Sequence, residues 1–167
     1  MSDVDTSPQT LSDQQRIDRI KDRLAAIAAD QASGLFSLEV TPLTEAELQS
    51  LPQNLPKSHY EFLKQIGAFS LGYNDYVIIV TYKPGPWEES DDFNPRAEEG
   101  RIPDAQNYLY MAHGVDGDCY GYNTAKVPFE LVAWDFFYAN PSKAHVQTFL
   151  DLVEQHIFQQ FRGTSLS

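Results

Sequence analysis

The chain has 167 residues, of which 42% are hydrophobic and 13% aromatic, which is enough for one domain with a sizeable core. Its 12 basic and 24 acidic residues give a formal net charge of -12, so we expect repulsion from nucleic acid and anionic lipid and attraction to basic proteins. The start lacks the pattern of a signal peptide, and no window approaches the roughly 20 apolar residues of a membrane helix, so we expect a cytoplasmic protein.

An amphipathic helix is the first predicted element. We expect residues 1–11 to form a disordered tail, residues 12–163 a single domain and residues 164–167 a second tail. Ser12 and Gln15 have the spacing of a capping box. Apolar residues then recur at steps of three and four on one helical face: Ile17, Ile20, Leu24 and Ile27. The pattern predicts a helix from Ser12 that ends before Gly34 and packs on the domain.

A weakly alternating run and a second capping pattern come next. Leu35 to Val40 is typical of an edge strand, which Thr41-Pro42 would end. Thr44 and Glu47 have the spacing of a capping box at the start of a short helix.

The stretch from Leu55 to Gly67 predicts a further helix. Pro56 favours a helix start, Ser58 and Glu61 have the spacing of a capping box, and Gly67 favours the end. Its apolar face would consist of Phe62, Leu63 and Ile66, with a weaker contribution from Tyr60. We expect His59 to face solvent, because no second metal-binding side chain lies at helical spacing from it.

Two strands and a long loop occupy the middle of the chain. Phe69–Tyr73 and Tyr76–Tyr82 flank Asn74-Asp75, a turn signal. Val77 to Val80 is entirely apolar, so we expect this strand to be central and covered on both faces. Pro84 to Asp104 combines four prolines with seven acidic residues, which predicts an exposed loop without regular structure.

A β-hairpin from Tyr108 to Tyr122 is the strongest local prediction. Two aromatic and apolar runs meet at Asp116-Gly117, a pair that tolerates positive φ. Cys119 is the single cysteine, which excludes an internal disulfide and a multi-cysteine metal site. We interpret it as a small buried side chain on a strand.

The C-terminal third predicts one more strand and a long helix. Pro128–Phe137 is the strand with its approach, and its aromatic residues, Trp134 among them, are expected in the core. Asn140-Pro141 would begin a helix that ends at Gly163. The strands are too close together for helical crossovers. The predicted fold is therefore α+β, with a mainly antiparallel sheet flanked by helices and an extra N-terminal amphipathic helix.

Several motifs carry a resemblance to a known family. They are Leu55-Pro56 leading into Tyr60-Glu61-Phe62-Leu63 and Gly67, an apolar strand, Gly114-Val115-Asp116-Gly117-Asp118 in a hairpin, and Trp134-Asp135 before a terminal helix. In this order they resemble the SUKH superfamily, which includes bacterial immunity proteins and the Smi/Knr-type cell-wall regulators of fungi. The resemblance covers about residues 44–161. It implies an α+β domain that binds another protein, commonly a toxin that it neutralises, or alternatively a regulatory scaffold domain. The acidic loop and the N-terminal helix are departures from the family pattern.

A physical argument for toxin inhibition accompanies the resemblance. Toxins that attack nucleic acid carry a cationic cleft, which an acidic protein can occupy as a phosphate mimic. We expect a cognate toxin with a basic surface as the partner, and we expect the aromatic residues of the acidic loop to anchor it. The predicted partner-binding residues are Trp87, Glu88, Glu89, Asp91, Asp92, Phe93, Glu98, Glu99, Asp116 and Asp118. Each of these acids is also explained by a solvated surface.

An enzyme or a metal site is the alternative reading of the hairpin. His113, Asp116 and Asp118 supply an imidazole and two carboxylates within six residues. They lack the oxygen-ligand series of a calcium loop, and an Asp-Gly turn needs no metal to explain it. No nucleophile or phosphate-binding motif is present in the sequence. We therefore expect no catalytic residues, no metal and no cofactor.

Overall fold

Within the part of the chain that the structure describes, seven strands form one antiparallel sheet in which each strand pairs with its neighbour in the sequence. The computed structural model describes residues 10–30, 34–86, 105–114, 118–134 and 142–159. The strands are β1 (Phe36–Thr41), β2 (Ala68–Tyr73), β3 (Tyr76–Pro86), β4 (Tyr108–Gly114), β5 (Cys119–Asn123), β6 (Glu130–Trp134) and β7 (Ser142–Lys143). The sheet order β1 to β7 and the antiparallel pairing confirm the predicted α+β fold and place β1 at one edge.

Within the described residues, four α-helices accompany the sheet, and two of them, α1 and α2, start at the capping signals that the sequence predicted. They are α1 (Asp13–Ala29), α2 (Glu45–Gln49), α3 (Lys57–Gln65) and α4 (Phe149–Glu154), and a π-helical segment, Gln155–Gln159, continues α4. A capping box at Ser12 and another at Thr44 are confirmed, with side-chain and backbone bonds in both directions. None of the described helices combines the length and hydropathy that a membrane span requires.

The capping prediction for α3 was wrong. Pro56 is the N-cap residue, and the helix begins without a side-chain hydrogen bond at the cap. Ser58 lies inside the first turn, where its hydroxyl is past the position from which a cap residue reaches the helix amides. The predicted end is correct, since Gly67 follows α3 with φ of +101°, a conformation that glycine adopts readily.

The helices pack against one face of the sheet and form the main core with it. Residues of α1, α3 and α4 join strand residues in one buried cluster. The predicted apolar face of α1 is confirmed, because all four of its residues are buried: Ile17, Ile20, Leu24 and Ile27. The prediction for His59 was wrong, because this side chain is fully buried. It lies three and four residues before Phe62 and Leu63, so the helical repeat turns it to the same buried face.

The opposite face of the sheet carries a smaller aromatic cluster. Tyr110, Cys119, Val132 and Trp134 are buried there, and Tyr82 and Tyr108 pack against them. The predicted burial of Cys119 and Trp134 is confirmed. These two residues are direct partners across β5 and β6, so they share a face.

Two predictions about β3 need correction. The strand was expected to be covered on both faces, yet Val77 is 46% exposed, because it lies at the strand end next to the turn. The acidic loop was expected to begin at Pro84. Residues through Pro86 instead belong to β3, where Gly85 pairs with Tyr110 and Pro86 with Leu109.

The C-terminal helix begins later than the sequence predicted. Asn140 and Pro141 lie outside the described residues, and the next two residues form the short edge strand β7. The helix starts at Phe149, after a capping box formed by Thr148 and Asp151. A side chain that satisfies the first helix amides therefore fixes the start, where the sequence analysis relied on proline.

Candidate functional site

Most of the predicted binding residues lie outside the described part of the chain. These are the eight residues of the acidic loop and one of the hairpin: Trp87, Glu88, Glu89, Asp91, Asp92, Phe93, Glu98, Glu99 and Asp116. Asp118 lies within the described residues, at the start of β5. Asp118 is therefore the one predicted binding residue whose surroundings the structure describes.

Asp118 lies at the base of the predicted hairpin, whose two strands β4 and β5 are confirmed. Its backbone carbonyl accepts a hydrogen bond from the amide of Gly114 at 2.8 Å. Burial raises the pKa of Tyr120 to about 12, and the negative charge of Asp118 adds to that shift. The same charge acts to raise the pKa of His156. The carboxylate thus lies near two aromatic rings at the end of the hairpin.

The pairing of the strands separates Asp118 from the described residues that flank the acidic loop. Gly114 pairs with Ile79 at one end of the β3–β4 ladder, whereas Leu109 pairs with Pro86 at the other. Five residues of strand span about 15–17 Å at the usual rise of about 3.4 Å per residue. We call the first end the turn end of the sheet and the second the loop end. The structure places Asp118 at the turn end and the residues that flank the acidic loop at the loop end.

The turn between β2 and β3 lies at the same turn end as Asp118. Asn74 and Asp75 both have positive φ, 50° and 68°, as in a two-residue hairpin turn of type I′. Tyr76 follows the turn and is 74% exposed, and Val77 beside it is 46% exposed. The turn was predicted correctly, but the exposed side chains after it were not, because Val77 to Val80 was expected to be covered on both faces. The signal available was a tyrosine next to a tight turn, where the end of a strand leaves one flank uncovered.

His156 packs against the hairpin from the helical side of the sheet. Its Nδ1–H donates a hydrogen bond to the carbonyl of Leu152 at 2.9 Å, so in the neutral ring the proton is on Nδ1 and Nε2 carries the lone pair. A Cβ atom at Gly114 would lie 2.5 Å from His156 Nε2, so the absence of a side chain there lets the ring approach the strand. Burial lowers the pKa of His156, and the opposing effects of Leu152 and Asp118 are smaller. A neutral imidazole therefore supports the base of the hairpin.

His113 packs on the opposite face of the sheet, one residue before Gly114. The hydroxyl oxygens of Tyr82 and Tyr110 lie 3.2 Å and 3.1 Å from its Nδ1. Burial lowers the pKa of His113 to about 4, which keeps the ring neutral at neutral pH. Two buried imidazoles thus lie next to the end of β4 on opposite faces of the sheet, His113 from β4 itself and His156 from the helical side.

His59 is the third buried histidine. It shares a hydrogen bond of 3.0 Å with the Tyr122 hydroxyl through Nδ1, and it stacks on Phe149 with ring centroids 3.7 Å apart. Nε2 has no hydrogen-bond partner among the described residues. Burial lowers the pKa of His59 to about 3. The ring joins α3, β5 and α4 as a neutral part of the core.

Two open clefts flank α3. The first, of about 430 Å³, is lined by Ser12, Asp13, Gln14, Ile17, Lys57, Ser58 and Glu61. The second, of about 410 Å³, is lined by Leu48, Gln49, Leu51, Pro52, Gln53, Leu55, Lys57 and Tyr60. Neither cleft is lined by a histidine or by the cysteine. Among the residues that the structure describes, no three His, Cys, Asp or Glu side chains are placed to hold a metal ion.

The described geometry thus gathers an exposed tyrosine, an exposed valine and two acids, Asp75 and Asp118, at the turn end of the sheet. Such a combination of an aromatic side chain and charge suits a protein–protein contact better than a small-molecule pocket. Comparison of the chain with protein-family models, with curated proteins and with solved structures gives no match.

Proposed function

We propose that this chain is an immunity-type protein, which binds a cognate toxin and neutralises it through an acidic protein–protein interface. The toxin would present a basic surface, and this protein would occupy that surface without catalysing a reaction. The proposal draws on the resemblance to the SUKH superfamily, for which an α+β domain is expected, and on the net charge of -12. An acidic protein associates rapidly with a cationic cleft, because the field of the whole surface steers the encounter.

The observation that carries the proposal is the use of α1 arginines inside the molecule. Arg16 bonds to Asp151 and Glu154 at 2.6 Å and 2.7 Å. The Arg19 guanidinium lies 4.5 Å from the centre of the Phe158 ring, and Arg23 donates to a backbone carbonyl of the π-helical segment at 3.3 Å. All three arginines of α1 thus make contacts within the domain. Fewer basic residues therefore remain at the surface to offset the charge of the 24 acidic residues when a partner approaches.

The state of the buried His59 and His113 favours binding over catalysis at these two side chains. A general base needs an imidazole that a substrate can reach and a pKa near the working pH. His59 and His113 are both buried, and burial lowers their pKa values to about 3 and about 4. These rings act within the packing of the domain.

A pull-down of the tagged protein from a lysate of its own source tests the proposal. The retained proteins are identified by mass spectrometry at low and at high salt. We expect one stoichiometric basic partner whose retention falls at high salt, because the salt screens the attraction between exposed charges. The purified partner should be toxic when expressed alone and harmless when this protein is co-expressed. A harmless cellular partner would instead indicate a regulatory scaffold role, and the absence of a partner at either salt would contradict a binding role.

Charge reversal in the acidic loop tests whether the loop, rather than another part of the surface, binds the partner. A variant with Glu88→Lys, Glu89→Lys, Asp91→Lys and Asp92→Lys should lose affinity for the partner if the loop mimics phosphate. Unchanged affinity would exclude the loop as the interface while leaving the immunity role in place.

A further inference from the structure

We propose that the turn end of the sheet is the docking surface for the basic partner, with Tyr76 as its anchor. The inference rests on the proposed binding function and names a surface for it. The surface comprises Asp75, Tyr76, Val77 and Asp118. Of these residues, Asp118 was predicted from the sequence to bind the partner. The acidic loop, which was also predicted to bind it, follows Pro86 at the opposite end of β3.

Tyr76 lies at a strand end, where its ring is left largely uncovered by the described part of the domain. Tyr76 is 74% exposed, whereas its cross-strand partner Tyr73 is half-buried and packs on Phe36 with ring centroids 5.0 Å apart. Tyrosine is enriched among the residues that dominate interface energies, because its ring offers a large contact area at a low cost in conformational entropy. A partner with an apolar socket would bury the ring, and Val77, on the opposite face of the strand, adds exposed apolar surface at the same strand end.

The backbone presents this side chain in a fixed position. Asn74 and Asp75 form the two-residue turn with positive φ, and the pairs Tyr73–Tyr76 and Gly72–Val77 close the ladder behind it. A Cβ atom at Gly72 would lie 2.6 Å from the hydroxyl oxygen of Ser37, so β1 also supports the turn closely. Binding at a preorganised hairpin loses little entropy, which favours affinity.

The charges around the turn end identify the kind of partner. The sequence has no lysine or arginine between Arg23 and Lys57, and none between Lys64 and Lys83. The strands β1 and β2, the turn after β2 and the first half of β3 therefore carry two acids, Glu39 in β1 and Asp75 in the turn, and no basic residue. Asp118 adds a carboxylate from the neighbouring hairpin. The complementary surface is cationic with an apolar centre, which is a protein surface of the type proposed for the toxin.

Val127 provides a matched control for Tyr76. It is 80% exposed and lies between β5 and β6, in a connection at the loop end of the sheet. Both side chains can be changed without disturbing the core. Tyr76→Ser and Val127→Ser should therefore leave the thermal midpoint of the protein unchanged, so a difference in binding would report on the surface alone.

The experiment uses the full chain with a photoreactive phenylalanine analogue at position 76 or at position 127. Each variant is irradiated in the source lysate, and the adducts are mapped by mass spectrometry. We expect position 76 to label the same basic protein that the unmodified chain retains, and position 127 to leave it unlabelled. Tyr76→Ser should weaken affinity for that protein by about 10- to 30-fold, as for an interface hot spot, and Val127→Ser by less than about twofold.

The outcomes distinguish the surface from the function. If the unmodified chain retains a basic partner, but both positions label it equally or both serine variants bind it equally, the turn end is not the docking surface and the proposed function stands. If position 76 labels a second copy of this chain, the surface is a dimer interface and the inference is wrong. If the unmodified chain retains no partner, the proposed function fails, and the inference fails with it.

Discussion

The guanidinium of Arg16 lies 2.6 Å from the carboxylate of Asp151, a residue 135 positions later in the chain. The contact joins α1 to α4. The same guanidinium reaches Glu154 at 2.7 Å. Burial alone would lower the pKa of Arg16 and raise that of Asp151. Together, the hydrogen bonds and charge attraction from Glu154 and Asp151 raise the pKa of Arg16 instead, and those from Arg16 and Thr148 lower the pKa of Asp151. Arg16 thus attaches the N-terminal helix to the C-terminal one.

Removal of this attachment should destabilise the domain. We expect Arg16→Gln to lower the free energy of unfolding by about 1–2 kcal/mol, because it leaves two carboxylates side by side without a cation. The loss is smaller than for a fully buried pair because water screens these partly exposed groups. Urea unfolding measures it. Lys126→Gln is the control, since it breaks an ion pair of 3.1 Å in which Lys126 is 59% exposed, and it should cost less than about 0.5 kcal/mol. Equal losses in the two variants would refute the role given to Arg16.

The two serines at helix starts should behave differently on substitution. Ser12 accepts a hydrogen bond from the Gln15 amide, so Ser12→Ala should lower the free energy of unfolding by about 1 kcal/mol. Ser58 lies within the first turn of α3, where no side chain caps the helix. Ser58→Ala should therefore be neutral or slightly stabilising, because alanine has the higher helix propensity. Thermal unfolding of the two variants compares their stabilities directly. An equal loss of stability at both positions would indicate that Ser58 does cap α3, as the sequence predicted.

The structure shows which local signals predict an element and which do not. The capping boxes predicted at Ser12 and Thr44 are confirmed, since the hydrogen bonds of a capping box form between residues three apart and need no distant contact. The similar pair at Ser58 failed, because Pro56 sets the helix start two residues earlier. The capping box of Thr148 and Asp151 could also have been found in the sequence, but the helix start was predicted from the earlier Pro141.

Burial and the candidate site depend on contacts that the sequence does not reveal. His59 was placed in solvent from its residue type, but Phe62 and Leu63 turn its side of α3 toward the core. Val77 was placed in the core from its apolar neighbours, but the strand end beside the turn leaves it exposed. The position of Asp118 and Tyr76 at the same end of the sheet follows from the pairing of β3 with β4 and of Gly114 with Asp118, which no local pattern in the chain encodes.

Gly114 should be sensitive to the smallest side chain. An added methyl group would lie 2.5 Å from His156 Nε2, so the ring or the strand must move. We expect Gly114→Ala to lower the free energy of unfolding by about 1–3 kcal/mol. Gly85→Ala is the control in the neighbouring strand, since the nearest atom to its Cβ is 3.8 Å away, and it should change stability by less than about 0.5 kcal/mol. Chemical denaturation of both variants tests the difference, and an undisturbed Gly114→Ala would mean that His156 does not press on the hairpin.

The buried histidines should make the domain sensitive to moderate acid. Burial lowers the pKa of His59 in the folded state from 6.5 to about 3. Between these values the unfolded chain binds a proton that the folded chain does not, so the free energy of unfolding falls as the pH falls through 6.5. One such group costs about 1.4 kcal/mol per pH unit below that point, or about 2 kcal/mol at pH 5 relative to pH 8. His113, whose pKa falls to about 4, acts in the same direction.

The contribution of His59 can be isolated by comparing two variants across this range of pH. His59→Gln removes the titrating group, so the stability gap between the original protein and this variant should shrink by about 2 kcal/mol between pH 8 and pH 5. Phe62→Leu is the control, because it alters the same buried face of α3 and contains no group that titrates. Its gap should stay constant with pH. Urea unfolding at pH 8, 6.5 and 5 gives the three curves. A gap for His59→Gln that stays as constant as that of Phe62→Leu would show that His59 titrates alike in the folded and unfolded chains, and the assignment of a neutral, buried imidazole to α3 would be wrong.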